Sequence, residues 1–89
     1  MKYRNRTEVV ASILQAAMGG ATKTKIMYRA FLSFAQLKEY LLILEENGLL
    51  HYNKEESKFM TTNKGMKFLR IYEQLDNLVN VPPKSMEET

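Results

Sequence analysis

TKTKIMYRAFLSFAQLKEYLLILEENGLL, residues 22–50, reads as a short basic helix, a tight turn, a longer helix with a well-marked start, and a glycine stop. Thr22 offers a hydroxyl N-cap for a helix to about Ala30, with Ile26 as its inward anchor and Lys23, Lys25 and Arg29 mostly outward. After the turn Ala30-Phe31-Leu32, Ser33 stands three residues before Gln36, the spacing at which two side chains reciprocally satisfy two orphan backbone amides. Leu32 and Leu37 flank that box where an apolar pair sets the angle at which the chain joins the helix. The helix then carries Leu37, Tyr40, Leu41 and Leu44 on one face and stops at Asn47-Gly48, with Gly48 left-handed and Leu49 packing back on Leu44. Two helices joined this tightly form a helix-turn-helix, a unit whose second helix commonly enters the DNA major groove.

Upstream, Val10, Ile13, Leu14 and Ala17 fall at helical spacing and predict a first helix over residues 7–18, ended by Gly19-Gly20. Lys23 and Thr24 follow that glycine pair, but a phosphate-binding loop requires glycine directly before the lysine, and Thr22 is there. The pair is read as a helix stop. Downstream, LLHYN and SKFMTT are two short strand-like runs separated by Lys54-Glu55-Glu56, the pattern of a β-hairpin, called a wing in DNA-binding proteins.

Thr62 caps a last helix through about Asn80, with Gly65 as a tolerated defect in its first turn. Phe68, Ile71, Leu75 and Leu78 follow a 3-4-3 spacing, a narrow coiled-coil seam, while Leu69, Tyr72 and Val79 form a second apolar edge. One helix with two apolar edges in so small a domain has surplus apolar surface, so the seam is expected to meet a second copy; packing of both edges on the first and third helices is the alternative. Pro82-Pro83 ends the helix. The expected architecture is mainly α with a small β-hairpin. It comprises a winged helix-turn-helix over residues 5–61, a C-terminal helix over 62–80 that packs on it and forms the dimer seam, and a flexible tail over 81–89.

Eighty-nine residues, 45% hydrophobic and 26% charged, suit one small soluble domain. A chain of this length buries only about 60–65% of its unfolded surface. With no cysteine, neither disulfides nor a thiolate zinc site is available to reinforce it, which makes dimerisation a plausible aid. The polar start MKYRNRTEVV and the lack of a long apolar run lead to the expectation of an intracellular protein, cytoplasmic and nucleoid-associated if it binds DNA, with no membrane partner.

The net charge of +3 is unevenly spread. Residues 1–30 hold Lys2, Arg4, Arg6, Lys23, Lys25 and Arg29 against Glu8 alone, whereas Glu39, Glu45, Glu46, Glu55 and Glu56 outnumber Lys38, Lys54 and Lys58 in residues 31–60. A basic first third suits a polyanionic partner, because neutralising phosphates supplies most non-specific DNA affinity; solvated lysines would give the same charge.

These residues resemble the small archaeal winged-helix DNA-binding proteins of the 10a chromatin type and related transcriptional regulators. The resemblance rests on residues 22–28, on Leu32-Ser33-Phe34 with Gln36-Leu37 and Tyr40-Leu41, on Asn47-Gly48-Leu49, and on residues 62–65 with Phe68-Leu69. It implies a winged helix, an antiparallel dimer through the C-terminal helix, and binding of double-stranded DNA for architectural or regulatory purposes. Carried onto this chain, it makes the helix from Ser33 the recognition helix, with Phe34, Gln36 and Lys38 near its start as candidates to face DNA. Lys25 and Arg29 would hold phosphates, with Arg4, Arg6 and Lys23 in the same basic region, and Lys54 and Lys58 would reach DNA from the hairpin. Phe34 reads equally as core. Gln36 is able to pair with adenine, but its capping bond competes for the same amide.

Placing Leu37 at the centre of the buried face leaves Ala35, Glu39, Leu42 and Glu46 outermost on that helix. Two carboxylates there oppose phosphate, and Leu42 suggests contact with protein. A winged helix used as a protein-protein interaction module without DNA binding is therefore the rival reading. An enzyme is not expected: His51 stands alone on a strand, where a partly buried structural histidine is the ordinary reading, and no cysteine nucleophile, metal cluster or cofactor motif accompanies it. The sequence specifies no operator or effector.

Overall fold

The computed structural model describes residues 4–79. In chain order it contains α1 (Arg6–Ala16), α2 (Lys23–Ala30), α3 (Phe34–Glu46), β1 (Leu50–Asn53), β2 (Lys58–Thr61) and α4 (Asn63–Val79). The proline stop and the tail over 81–89 lie outside the described residues. Three helices followed by a hairpin and a closing helix match the architecture expected from the sequence.

α1 begins one residue earlier than its apolar spacing suggests, at Arg6, because Asn5 caps it. The Asn5 side chain accepts the Glu8 amide at 2.8 Å and the Glu8 carboxylate accepts the Asn5 amide at 2.9 Å, a complete capping box. Its buried face is wide: Val9, Ala11, Ile13, Leu14, Ala16 and Ala17 are all inside, so α1 is the central helix of the core. Ile26 and Ala30 of α2 and Leu37, Leu41 and Leu44 of α3 close on it. Leu50, Phe59 and Leu69 bring in the hairpin and α4.

β1 and β2 pair antiparallel, Leu50 opposite Thr61 and Asn53 opposite Lys58. The turn spans four residues, 54–57, one more than the polar interval in the sequence. Asn53 Oδ1 accepts the amides of Glu55 and Glu56, and Ser57 takes φ +55° to return the chain. His51 is exposed beside a half-open Tyr52, so the partly buried histidine expected from sequence is not found: the hairpin is two-stranded and covered on one face only. Ala21 adds a short bridge to β2, exchanging bonds with Phe59 at 2.9 and 2.8 Å. The α1–α2 link is thereby tied to the wing.

Gly65 is a necessity of packing. A Cβ there would lie 2.5 Å from the Leu49 carbonyl oxygen and 2.6 Å from Thr61 Cγ2, so α4 can start close under the hairpin only without a side chain. Thr62 accepts the Gly65 amide at 3.1 Å and donates its hydroxyl to Gly48 O at 2.6 Å, linking the α4 cap to the α3 stop. Along α4, Gly65 and Leu69 are buried and Tyr72 and Asp76 half-buried, forming the edge that meets the body. The seam residues Ile71, Leu75 and Leu78 are 53%, 55% and 74% exposed. Phe68, the first seam residue, is instead half-buried against the core and stacked on Tyr72 at 6.5 Å, so the seam stands open only from Ile71 onward. Burial and the neighbouring carboxylates of Asp76 and Glu8 hold the Tyr72 phenol above its ordinary range.

Candidate nucleic-acid interface

The turn between α2 and α3 forms a corner built by local hydrogen bonds. Thr22 Oγ1 accepts the Lys25 amide at 3.2 Å and starts α2. At the other end Leu32 N–H reaches Met27 O at 3.1 Å and Phe31 N–H reaches Tyr28 O, the bonding of a Schellman stop, with Phe31 in the left-handed conformation at φ +55°. The stop of α3 has the same bonds, Leu49 to Leu44 at 2.8 Å and Gly48 to Glu45 at 3.0 Å, but there glycine occupies the left-handed position. Phe31 thus adopts a conformation unfavourable for an aromatic residue while its ring lies 83% exposed. Arg4 Nη2 donates to the Phe31 carbonyl at 3.1 Å and steadies the turn.

Ser33 and Gln36 form the capping box read from the sequence, with bonds of 3.2 and 3.0 Å. Because Gln36 Oε1 accepts the Ser33 amide, its carbonyl is engaged and a bidentate grip on adenine would break the cap. Phe34 is not core: it is 55% exposed, with Lys23 Nζ 5.6 Å from its ring centroid. Ser33, Ala35, Gln36 and Lys38 are exposed beside it. Tyr28, 71% exposed, completes an apolar rim on the last turn of α2.

The remaining cations separate into other surroundings. Lys25 and Arg29, four residues apart, share one flank of α2, and Arg29 lies beside Ser12, Gln15 and Ala16 of α1. Arg6 sits over the Tyr40 ring at 6.0 Å in a hollow shared with Glu39 and Ile43, so it is drawn to the acidic side of α3. Lys54 is at the exposed hairpin tip among Glu55 and Glu56, and Lys58 is half-buried at the start of β2 near Gly20. The structure therefore brings Arg4, Lys23, Ser33, Phe34, Gln36 and Lys38 together and leaves Arg6 apart from them. Sequence reasoning did not single out Tyr28 and Phe31 as site residues. The available signal was an aromatic residue between a helix end and the next cap, where a left-handed stop normally takes glycine.

On α3, Ala35, Glu39, Leu42 and Glu46 are all exposed, Leu42 by 58%, as the spacing predicts. Lys64 Nζ donates to Asn47 O at 2.7 Å and closes the C-terminal end of the helix, a bond linking residues too far apart to infer from the sequence. Among the described residues no three His, Asp or Glu side chains gather as metal ligands, and no helix is long and apolar enough to cross a membrane.

Three helices, a hairpin and a helix-turn-helix corner define a winged helix. The sequence profile of the winged helix-turn-helix family matches residues 3–80, and the chain belongs to that family. It is 35% identical over 81 residues to the uncharacterized protein MJ0287 of Methanocaldococcus jannaschii, covering 90% of this chain and 81% of that one. Its fold is similar to that of Sso10a-2, a DNA-binding protein from Sulfolobus solfataricus, with a TM-score of 0.81 and 21% identity over 96% of this chain and 92% of the other.

Proposed function

We propose that this protein binds double-stranded DNA, mainly through its phosphate backbone, and does so as a homodimer joined along the open seam of α4. The observation that carries the reading is the corner itself. From Val9 to Lys38 the sequence holds no acidic residue, and Lys23, Lys25, Arg29 and Lys38 line the α2 and α3 segment of a winged helix. Lys54 and Lys58 add charge from the wing. Each is exposed or half-exposed and so available to phosphate oxygens. The likeness to Sso10a-2 supports the reading, since that protein is a DNA-binding protein of the same fold. The role is that of a transcriptional regulator or a chromatin-associated protein in the cytoplasm, with no cofactor and no catalytic step.

The dimer reading is supported by α4, where Ile71, Leu75 and Leu78 make an apolar line that the subunit leaves exposed, with Phe68 half-buried against the core at its head. Two subunits also double the phosphate contacts, offsetting the acidic outer face of α3. The exposed Leu42 between Glu39 and Glu46 favours a second reading, a winged helix that meets protein.

A mobility-shift titration on generic duplex DNA at two salt concentrations separates them. Binding at low salt that falls roughly a thousandfold between 50 and 200 mM is expected for six or more phosphate contacts per dimer. No shift at low salt overturns the DNA reading in favour of the protein partner. Discrete footprints would identify a regulator, and uniform coverage an architectural protein.

A further inference from the structure

We propose that Phe34 and Phe31, with Ala35, read the 5-methyl groups of thymine in the major groove, giving this protein a preference for A·T base pairs carried by apolar contact and not by hydrogen bonds. The inference rests on the DNA-binding reading and adds what the corner recognises.

In a helix-turn-helix the first turn of the second helix meets the base edges. In this chain that turn has few free hydrogen-bonding groups. The Ser33 hydroxyl and the Gln36 carbonyl hold each other's backbone amides, and Glu39 lies in the hollow with Arg6. What faces outward instead is Phe34, 55% exposed, and the methyl of Ala35, with Phe31 at 83% just before them. Phe and Ala are among the side chains that suit the thymine methyl, the one apolar group on the major-groove edges.

Phe31 carries a second, independent indication. Its backbone has the left-handed conformation that Gly48 supplies in the matching stop of α3, yet position 31 holds a large ring that the body does not cover. The ring adds little to the fold, and three residues before the exposed Phe34 it is available for contact outside the subunit. Lys23 over the Phe34 ring and Lys38 one turn further along α3 place cations around these rings, a combination that suits an apolar patch within a polyanion. An apolar protein surface would gain nothing from that positive rim.

The test compares an A·T-rich duplex with the same duplex in which every thymine is replaced by deoxyuridine. This leaves the phosphates and the base pairing unchanged and removes the methyl groups. Wild type is expected to bind the deoxyuridine duplex more weakly, by about fourfold for each methyl it covers. Phe34→Ala should bind the thymine duplex more weakly and lose the discrimination. Phe31→Gly relieves the left-handed position, so it should melt no lower than wild type while the discrimination shrinks. Equal wild-type affinity for the two duplexes overturns the inference and leaves the DNA-binding reading intact. Full discrimination retained in Phe34→Ala also overturns it. Binding to neither duplex at low salt overturns both.

Discussion

The Leu49 carbonyl oxygen occupies the space that a side chain at Gly65 would need, only 2.5 Å from an ideal Cβ. That carbonyl already accepts the Thr62 amide at 3.1 Å, and the Leu49 amide is bonded to Leu44 at 2.8 Å, so neither side of the contact yields easily. Gly65→Ala would ordinarily gain up to about 1 kcal/mol of helix propensity. Here the clash outweighs that gain, because overpacking of this kind costs about 1–3 kcal/mol. The expected outcome is a lower urea midpoint at unchanged slope, corresponding to a net loss of up to about 2 kcal/mol.

Gln36 caps α3 at the end proposed to meet DNA, and a single substitution separates the cap from the charge presented there. Gln36→Glu keeps an acceptor for the Ser33 amide and places negative charge in the first turn of α3, where the helix dipole favours it by about 0.3–1 kcal/mol. Stability should hold or rise. If the start of α3 faces DNA as proposed, a carboxylate there repels phosphate, so affinity should fall at low salt and recover part of the difference as salt screens the repulsion. Thermal melting and binding anisotropy on the same preparation check both halves.

The parts of the fold legible in the sequence are those fixed by partners three to five residues away. Thr22 with Lys25, Ser33 with Gln36, and the Gly48 stop with Leu49 returning to Leu44 are all of this kind. Asn5 with Glu8 is equally local, but it lies ahead of the apolar spacing of Val10, Ile13, Leu14 and Ala17, which alone places the helix from residue 7. Contacts made by chain return were hidden. In the sequence Gly65 reads as a helix defect, and only the hairpin brings Leu49 against it; Arg4 reaches Phe31 across 27 positions. The candidate site followed the same division. Its lysines are visible as charge, whereas the placement of Phe34 under Lys23, and of Arg6 beside Glu39, depends on how the helices pack.

Lys25 and Arg29 give a charge test largely independent of stability. Lys25 contributes a backbone amide to the α2 cap and its side chain is exposed; Arg29 is exposed in the last turn of α2. Lys25→Glu with Arg29→Glu should cost less than about 1 kcal/mol of stability, most of it from placing an acid at the C-terminal end of α2. DNA binding should be lost at moderate salt. Unchanged affinity would transfer the phosphate contacts to Lys23 and Lys38 on the α3 side of the corner.

Leu75 tests the seam and its link to binding together. Ile71, Leu75 and Leu78 are exposed by half or more, so a lysine at position 75 removes no contact from the subunit's own core. In a dimer it would place two like charges in an apolar interface, at a cost of several kcal/mol if they stay unpaired. Leu75→Lys is therefore expected to sediment as a monomer with unchanged helix content, while wild type sediments as a dimer. Its affinity for duplex DNA should drop and its salt dependence become shallower, because a monomer neutralises about half as many phosphates. A wild type that is already monomeric at binding concentrations would refute the seam. A monomeric variant with undiminished affinity would show that one winged helix suffices for DNA.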